Sequence, residues 1–107
     1  GDEALRKLSR IFAGNIRKSD VLARYGGEEF ILMMPETALP QAMDICQRLR
    51  QAVENTVFQG QKGEAYLTVS VGVSAFPEDS KTPDELVELA DKSLYAAKEG
   101  GRNRVMH

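Results

Sequence analysis

From Tyr66 to Phe76 the chain reads YLTVSVGVSAF. Leu67, Val69, Val71, Val73 and Ala75 fall on one side of the alternation, and Thr68, Ser70, Gly72 and Ser74 on the other. Neighbouring side chains of a strand point to opposite faces, so this period of two predicts a long strand with one apolar face. No helix can present these residues as a single stripe.

The remaining segments carry helical spacing or short apolar runs. In GDEALRKLSRIFAGNI, Leu5, Leu8 and Phe12 share a helical face that Ala4 and Ile11 widen, and Gly14-Asn15 is a stop pair. VLARY and EFILMM are joined through Gly26-Gly27, which tolerates the positive φ angles of a primed turn and predicts a β-hairpin. TALPQAMDICQRLRQAV places Ala42, Ile45, Cys46, Leu49 and Val53 on one face of a second helix, with Pro40 in its first turn. GQKG, residues 60–63, reads as a loop. TPDE starts a third helix, with Thr82 as N-cap, Pro83 at the first position and Glu85 completing a capping box. Leu86, Leu89, Ala90, Leu94 and Ala97 carry that helix to Gly100-Gly101, and the tail NRVMH offers an edge strand. Helix, hairpin, helix, strand, helix is an α+β order, and it opens on a helix with no strand before it.

The totals narrow the class. A chain of 107 residues is one domain, burying roughly 65% of its unfolded surface. Sixteen acidic against fourteen basic residues give a net charge of −2, which argues against long nucleic acid as a partner. No apolar run spans a bilayer, no signal peptide opens the chain, and direct membrane contact is not expected. The single cysteine, Cys46, cannot form an internal disulfide and reads as a small buried hydrophobe. These features fit the cytoplasm, and equally the cytosolic domain of a membrane-anchored sensor.

Three clusters could carry chemistry, and each has an ordinary reading beside the functional one. Glu28 and Glu29 follow the glycine pair. Adjacent strand residues face opposite ways, so both cannot ligate one ion from a regular strand, and a magnesium site would need other oxygens, such as substrate phosphates. Read alone, GGEE is a solvated hairpin tip. Lys98 and Arg102 flank Gly100-Gly101. Bases at a helix C-terminus are favoured by the dipole, and the same two cations could clamp a triphosphate. Arg17 and Asp20, in RKSD, are spaced as a surface ion pair; as a ligand site they would offer guanidinium donors and a carboxylate acceptor to a guanine edge or a phosphate.

Taken together, RYGGEEF, TVSVGVSAF and ADKSLYAAKEGGRN, in this order and spacing, resemble the GGDEF family, the bacterial diguanylate cyclases. The resemblance runs from Gly1 to Val105. It implies a fold similar to the palm domain of nucleotidyl cyclases, ferredoxin-like, with a mainly antiparallel sheet flanked by helices. It also implies a reaction in which two GTP condense to cyclic di-GMP and two pyrophosphates across a homodimer of domains. By the resemblance, Glu28 binds Mg2+ or Mn2+ and helps deprotonate the attacking 3′-hydroxyl, and Glu29 supports the site. Gly26 and Gly27 make the turn and admit substrate, Lys98 and Arg102 meet the GTP phosphates, and Asp2 hydrogen-bonds guanine. Arg17 and Asp20 match the family's RxxD site for inhibitory product, to which Arg48 adds a second arginine.

The sequence also departs from the family. The family's first strand carries DxDxFK and is followed by ND, and neither motif occurs here. Residues 1–107 are therefore expected to form a partial GGDEF domain that lacks its central strand and is inactive alone. The exposed inner edges would be closed by strand movement or by exchange of elements with another chain. The alternatives to catalysis are a cyclic di-GMP receptor built on Arg17, Asp20 and Arg48, or a GTP-binding regulatory domain.

Overall fold

The computed structural model describes residues 2–24 and 29–107, with the backbone alone at Asp2 and Arg24. The elements run α1 (Asp2–Gly14), β1 (Val21–Arg24), β2 (Phe30–Met33), α2 (Leu39–Glu54), β3 (Val57–Gly60), β4 (Gly63–Tyr66), β5 (Val71–Gly72), α3 (Pro83–Glu99) and β6 (Val105–Met106). The α+β order expected from periodicity is present. No helix among the described residues is long and apolar enough to cross a membrane.

The helices sit where their spacing places them. α1 ends as Asn15 turns its side-chain amide back to the Ile11 carbonyl at 2.7 Å, satisfying an acceptor the helix leaves open. All five residues of the expected α2 face, Ala42, Ile45, Cys46, Leu49 and Val53, are buried. The α3 start is half of a capping box. Thr82 Oγ1 accepts from the Glu85 backbone N–H at 3.3 Å, but the Thr82 N–H is taken by Ser80 Oγ at 3.1 Å and not by the Glu85 side chain. A nearer hydroxyl has claimed the donor.

Pairing is where the expected strands change. β1 and β2 form the antiparallel hairpin, with Val21 opposite Met33 and Arg24 opposite Phe30. The expected loop at 60–63 is instead the tip of a second antiparallel hairpin, β3–β4, with Gly60 opposite Gly63 and Gly63 at φ +112°. Every residue of β4 is exposed, so it carries no alternation for a sequence pattern to register. Beyond Tyr66, which ends β4, the long alternating segment is a paired strand among the described residues only at Val71–Gly72, which runs parallel to β6. Leu67 and Val69 still turn onto the core, so the pattern set the faces correctly. Ladder pairing needs a neighbouring backbone, and no strand lies beside 67–70 among the described residues. Nor do β2 and β5 pair among the described residues.

The main core gathers Phe12 from α1, Ile45, Leu49 and Val53 from α2, and Phe58 from β3. Phe12 meets Phe30 of β2 edge to face, with centroids 5.2 Å apart, the arrangement aromatic quadrupoles favour. A second cluster packs Ala42 and Cys46 of α2 against Val73 and Val105. Gly72 faces the other way, onto α3, and Ser74 Oγ donates to the Leu86 carbonyl at 2.6 Å. α3 is thereby fixed to β5, and its C-terminal end is delivered toward β2.

Candidate functional site

Glu29 leads into β2, and Lys98 lies in the last turn of α3, where the helix dipole favours a cation. Lys98 Nζ approaches Glu29 Oε2 to 3.7 Å, both side chains being more than a third exposed. The fold thus brings together the end of GGEEF and the start of KEGGRN, two segments far apart in sequence. Gly26, Gly27 and Glu28 lie outside the described residues. Asp2 opens α1.

Beyond Lys98 the chain leaves α3 through Gly100 and then Gly101 at φ +121°, Arg102 at +65° and Asn103 at +46°. The Arg102 N–H returns to the Ala97 carbonyl at 2.9 Å. Arg102 is exposed at this corner. A carboxylate, an ammonium and a guanidinium thus belong to one end of α3 and the hairpin beside it. Hard oxygen donors beside cations fit a magnesium–triphosphate pair, because magnesium takes few protein carboxylates and completes its shell with phosphate oxygens. Among the described residues no group of three metal-ligating side chains occurs; Glu28, the cation ligand expected from the sequence, is not one of them.

Arg17 and Asp20 form the expected pair, and more tightly than a surface contact. Arg17 Nη2 donates to Asp20 Oδ1 at 2.9 Å, while Nε, at 3.3 Å, and the Arg17 backbone N–H, at 2.8 Å, reach Oδ2. The Asp20 side chain is fully buried, whereas that of Arg17 is 38% exposed. The hydrogen bond from Arg17 chiefly holds the Asp20 carboxyl below the usual carboxylate range, against burial, and raises Arg17 in return. Arg48 is exposed on α2, and no described hydrogen bond or ion pair joins it to Arg17.

Some residues were missed from sequence. Thr37 Oγ1 accepts from Arg17 Nη2 and donates to the Pro35 carbonyl at 2.9 Å; nothing in PET separates this threonine from an ordinary turn residue. Arg50, Glu54 and Asn103 form a network at the loop after α3. Only the i,i+4 spacing of the first two was visible beforehand.

Residues 1–104 match the family described as "Diguanylate cyclase, GGDEF domain". The chain is 44% identical to the response regulator PleD of Caulobacter vibrioides over 99% of its own length, and spans 24% of that protein. Among solved structures, it superposes on the GGDEF domain of DgcB from Caulobacter crescentus, in complex with c-di-GMP. That match has a TM-score of 0.88 and 29% identity, over 98% of this chain and 63% of that one. The active GGEEF domain of a diguanylate cyclase from Vibrio cholerae matches with a TM-score of 0.81 and 32% identity, over 98% of this chain and 66% of that one. The chain belongs to the GGDEF domain family.

Proposed function

We propose that this GGDEF domain condenses two GTP molecules into cyclic di-GMP, each GTP held by one of two domains that meet face to face. The observation that carries the reading is the approach of Lys98 to Glu29. It supports the reading because an ammonium stands beside the GGEEF segment, and phosphoryl transfer asks a protein chiefly for position and charge neutralisation.

The 3′-hydroxyl oxygen of each GTP bonds to the α-phosphorus of the other. The bond from that phosphorus to pyrophosphate breaks, the hydroxyl proton passes to a base, and two pyrophosphates leave. Glu28 assists removal of that proton and offers oxygens to a divalent cation, Mg2+ or Mn2+, which when bound offsets triphosphate charge. Glu29 steadies Lys98. Lys98 and Arg102 neutralise the phosphates, Asp2 accepts from guanine, and Gly26-Gly27 let substrate approach the backbone.

In the same reading, Arg17, Asp20 and Arg48 hold the product as inhibitor. Buried Asp20 anchors Arg17 through Nε and Nη2, and Nη1, which makes no hydrogen bond among the described residues, serves a guanine or phosphate acceptor.

The full-length protein, given GTP and Mg2+, should release pyrophosphate and cyclic di-GMP, and Glu28→Ala should lower the rate by about a thousandfold or more. No turnover at any protein concentration overturns the catalytic reading. Binding of cyclic di-GMP that Arg17→Ala abolishes would then favour a receptor.

A further inference from the structure

We propose that Arg50 and Glu54 of α2 are positioning residues for the phosphate site, acting through Asn103 on the loop that presents Arg102. The inference rests on the reading of Arg102 given above.

The loop after α3 has an uncommon backbone. Gly101, Arg102 and Asn103 occupy positive φ in succession. Glycine accepts that region freely and asparagine tolerates it, but an arginine is held there against its preference. Such a conformation persists only when its surroundings over-determine it.

Three attachments do so. The Arg102 N–H is tied to the Ala97 carbonyl of α3 at 2.9 Å, and the Arg104 carbonyl accepts from Val71 of β5 at 2.9 Å. The third attachment is made by side chains alone. Arg50 Nη1 donates to Asn103 Oδ1 at 3.0 Å, and Asn103 Nδ2 donates to Glu54 Oε2 at 2.6 Å. Arg50 Nη1 also meets Glu54 Oε1 at 3.3 Å, and its Nε donates to Gln47 Oε1 at 2.8 Å. The donor and acceptor sides of the Asn103 amide are therefore both gripped by one helix. Helices are better platforms for precise placement than loops. The backbone of Arg102 is consequently fixed from α3 on one side and from α2 on the other, while its side chain faces outward.

A brace that served only stability would cost the same whether or not Arg102 were present. A brace that aims Arg102 would not. The test is a double-mutant cycle in the full-length protein, reading affinity for a non-reacting GTP analogue by calorimetry. Arg50→Met should weaken binding about tenfold in the parent and by less than about twofold in an Arg102→Ala background. Glu54→Gln, which keeps an oxygen acceptor for Asn103, should restore most of the affinity that Glu54→Ala loses, and Glu54→Ala supplies the cycle should Arg50→Met not fold. Equal losses in both backgrounds, or none in the parent, overturn the proposal while leaving the phosphate site standing. If Arg102→Ala binds as tightly as the parent, the reading of Arg102 fails and this inference falls with it.

Discussion

Lys98 Nζ stands 3.7 Å from Glu29 Oε2, joining the last turn of α3 to the residue that leads into β2. Ion pairs as exposed as this one contribute little to stability, since water and salt screen them and two long side chains must be ordered. In the proposed function the pair serves substrate more than fold. Lys98→Met should move Tm by no more than about 4 °C. It should lower kcat/KM for GTP about tenfold or more, as loss of a phosphate contact does. A collapse in Tm with kcat/KM unchanged per folded molecule would assign Lys98 to the fold instead.

The Arg17–Asp20 pair makes stability depend on acid in a predictable direction. The folded Asp20 carboxyl is held below its ordinary value, first by the Arg17 side-chain hydrogen bond. The unfolded state therefore takes up a proton before the folded state does. The pair's contribution is complete above the unfolded value, about 4, and is lost as pH falls through the lower folded value. An NMR titration should place Asp20 below the exposed aspartates. Arg17→Ala should move it above them, because burial then acts without its compensating partner. An Asp20 that titrates with the exposed carboxyls in both proteins would contradict the geometry.

At Gly72 the backbone of α3 lies against β5 with no room for a side chain between them. A Cβ there would collide with the Ala90 carbonyl and the Leu94 backbone nitrogen and stand 2.9 Å from Leu94 Cα. Backbone atoms cannot rotate aside as a flexible side chain can, so α3 must shift. Gly72→Ala should destabilise the domain by about 1–3 kcal/mol, seen as a fall in Tm of roughly 5–20 °C. Because α3 also carries Lys98, the KM for GTP should rise as well. An unchanged melt would mean that α3 is not seated on β5 as described.

Faces were more legible in the sequence than partners. The burial of Ala42, Ile45, Cys46, Leu49 and Val53 follows from a period of 3.6, a property of each helix alone. Thr82 and Gly101 were readable for the same local reason. The alternation at 67–75 identified the core-facing side chains, yet only Val71 and Gly72 find a ladder. Hydrogen-bond partners are non-local, and no period encodes them. β4 was invisible because its side chains all face solvent. At the candidate site, Glu29, Lys98, Arg17 and Asp20 stood out through motif and spacing. Thr37 and Asn103 did not, since each matters only through a residue that the fold brings to it from elsewhere.

Cys46 gives a test of the packing between α2 and the β5–β6 pair. Its thiol is buried beside Ala42, Val73 and Val105, and burial pushes its pKa up to about 11. Near pH 8 almost no thiolate is present, and the thiolate is the reacting form. Native protein should therefore react with iodoacetamide at least about a hundredfold more slowly than a free thiol does. Denaturant should restore the ordinary rate. The raised value also fixes a sign. An unfolded cysteine loses its proton near pH 8.5 while the folded one keeps it, so stability falls as pH rises from there toward the folded value. By about pH 10.5 this loss should reach about 2.5 kcal/mol beyond that of Cys46→Ala, whose alkaline melts lack the contribution. Rapid alkylation of the native protein, or identical alkaline slopes for the two proteins, would show that α2 does not close over the thiol.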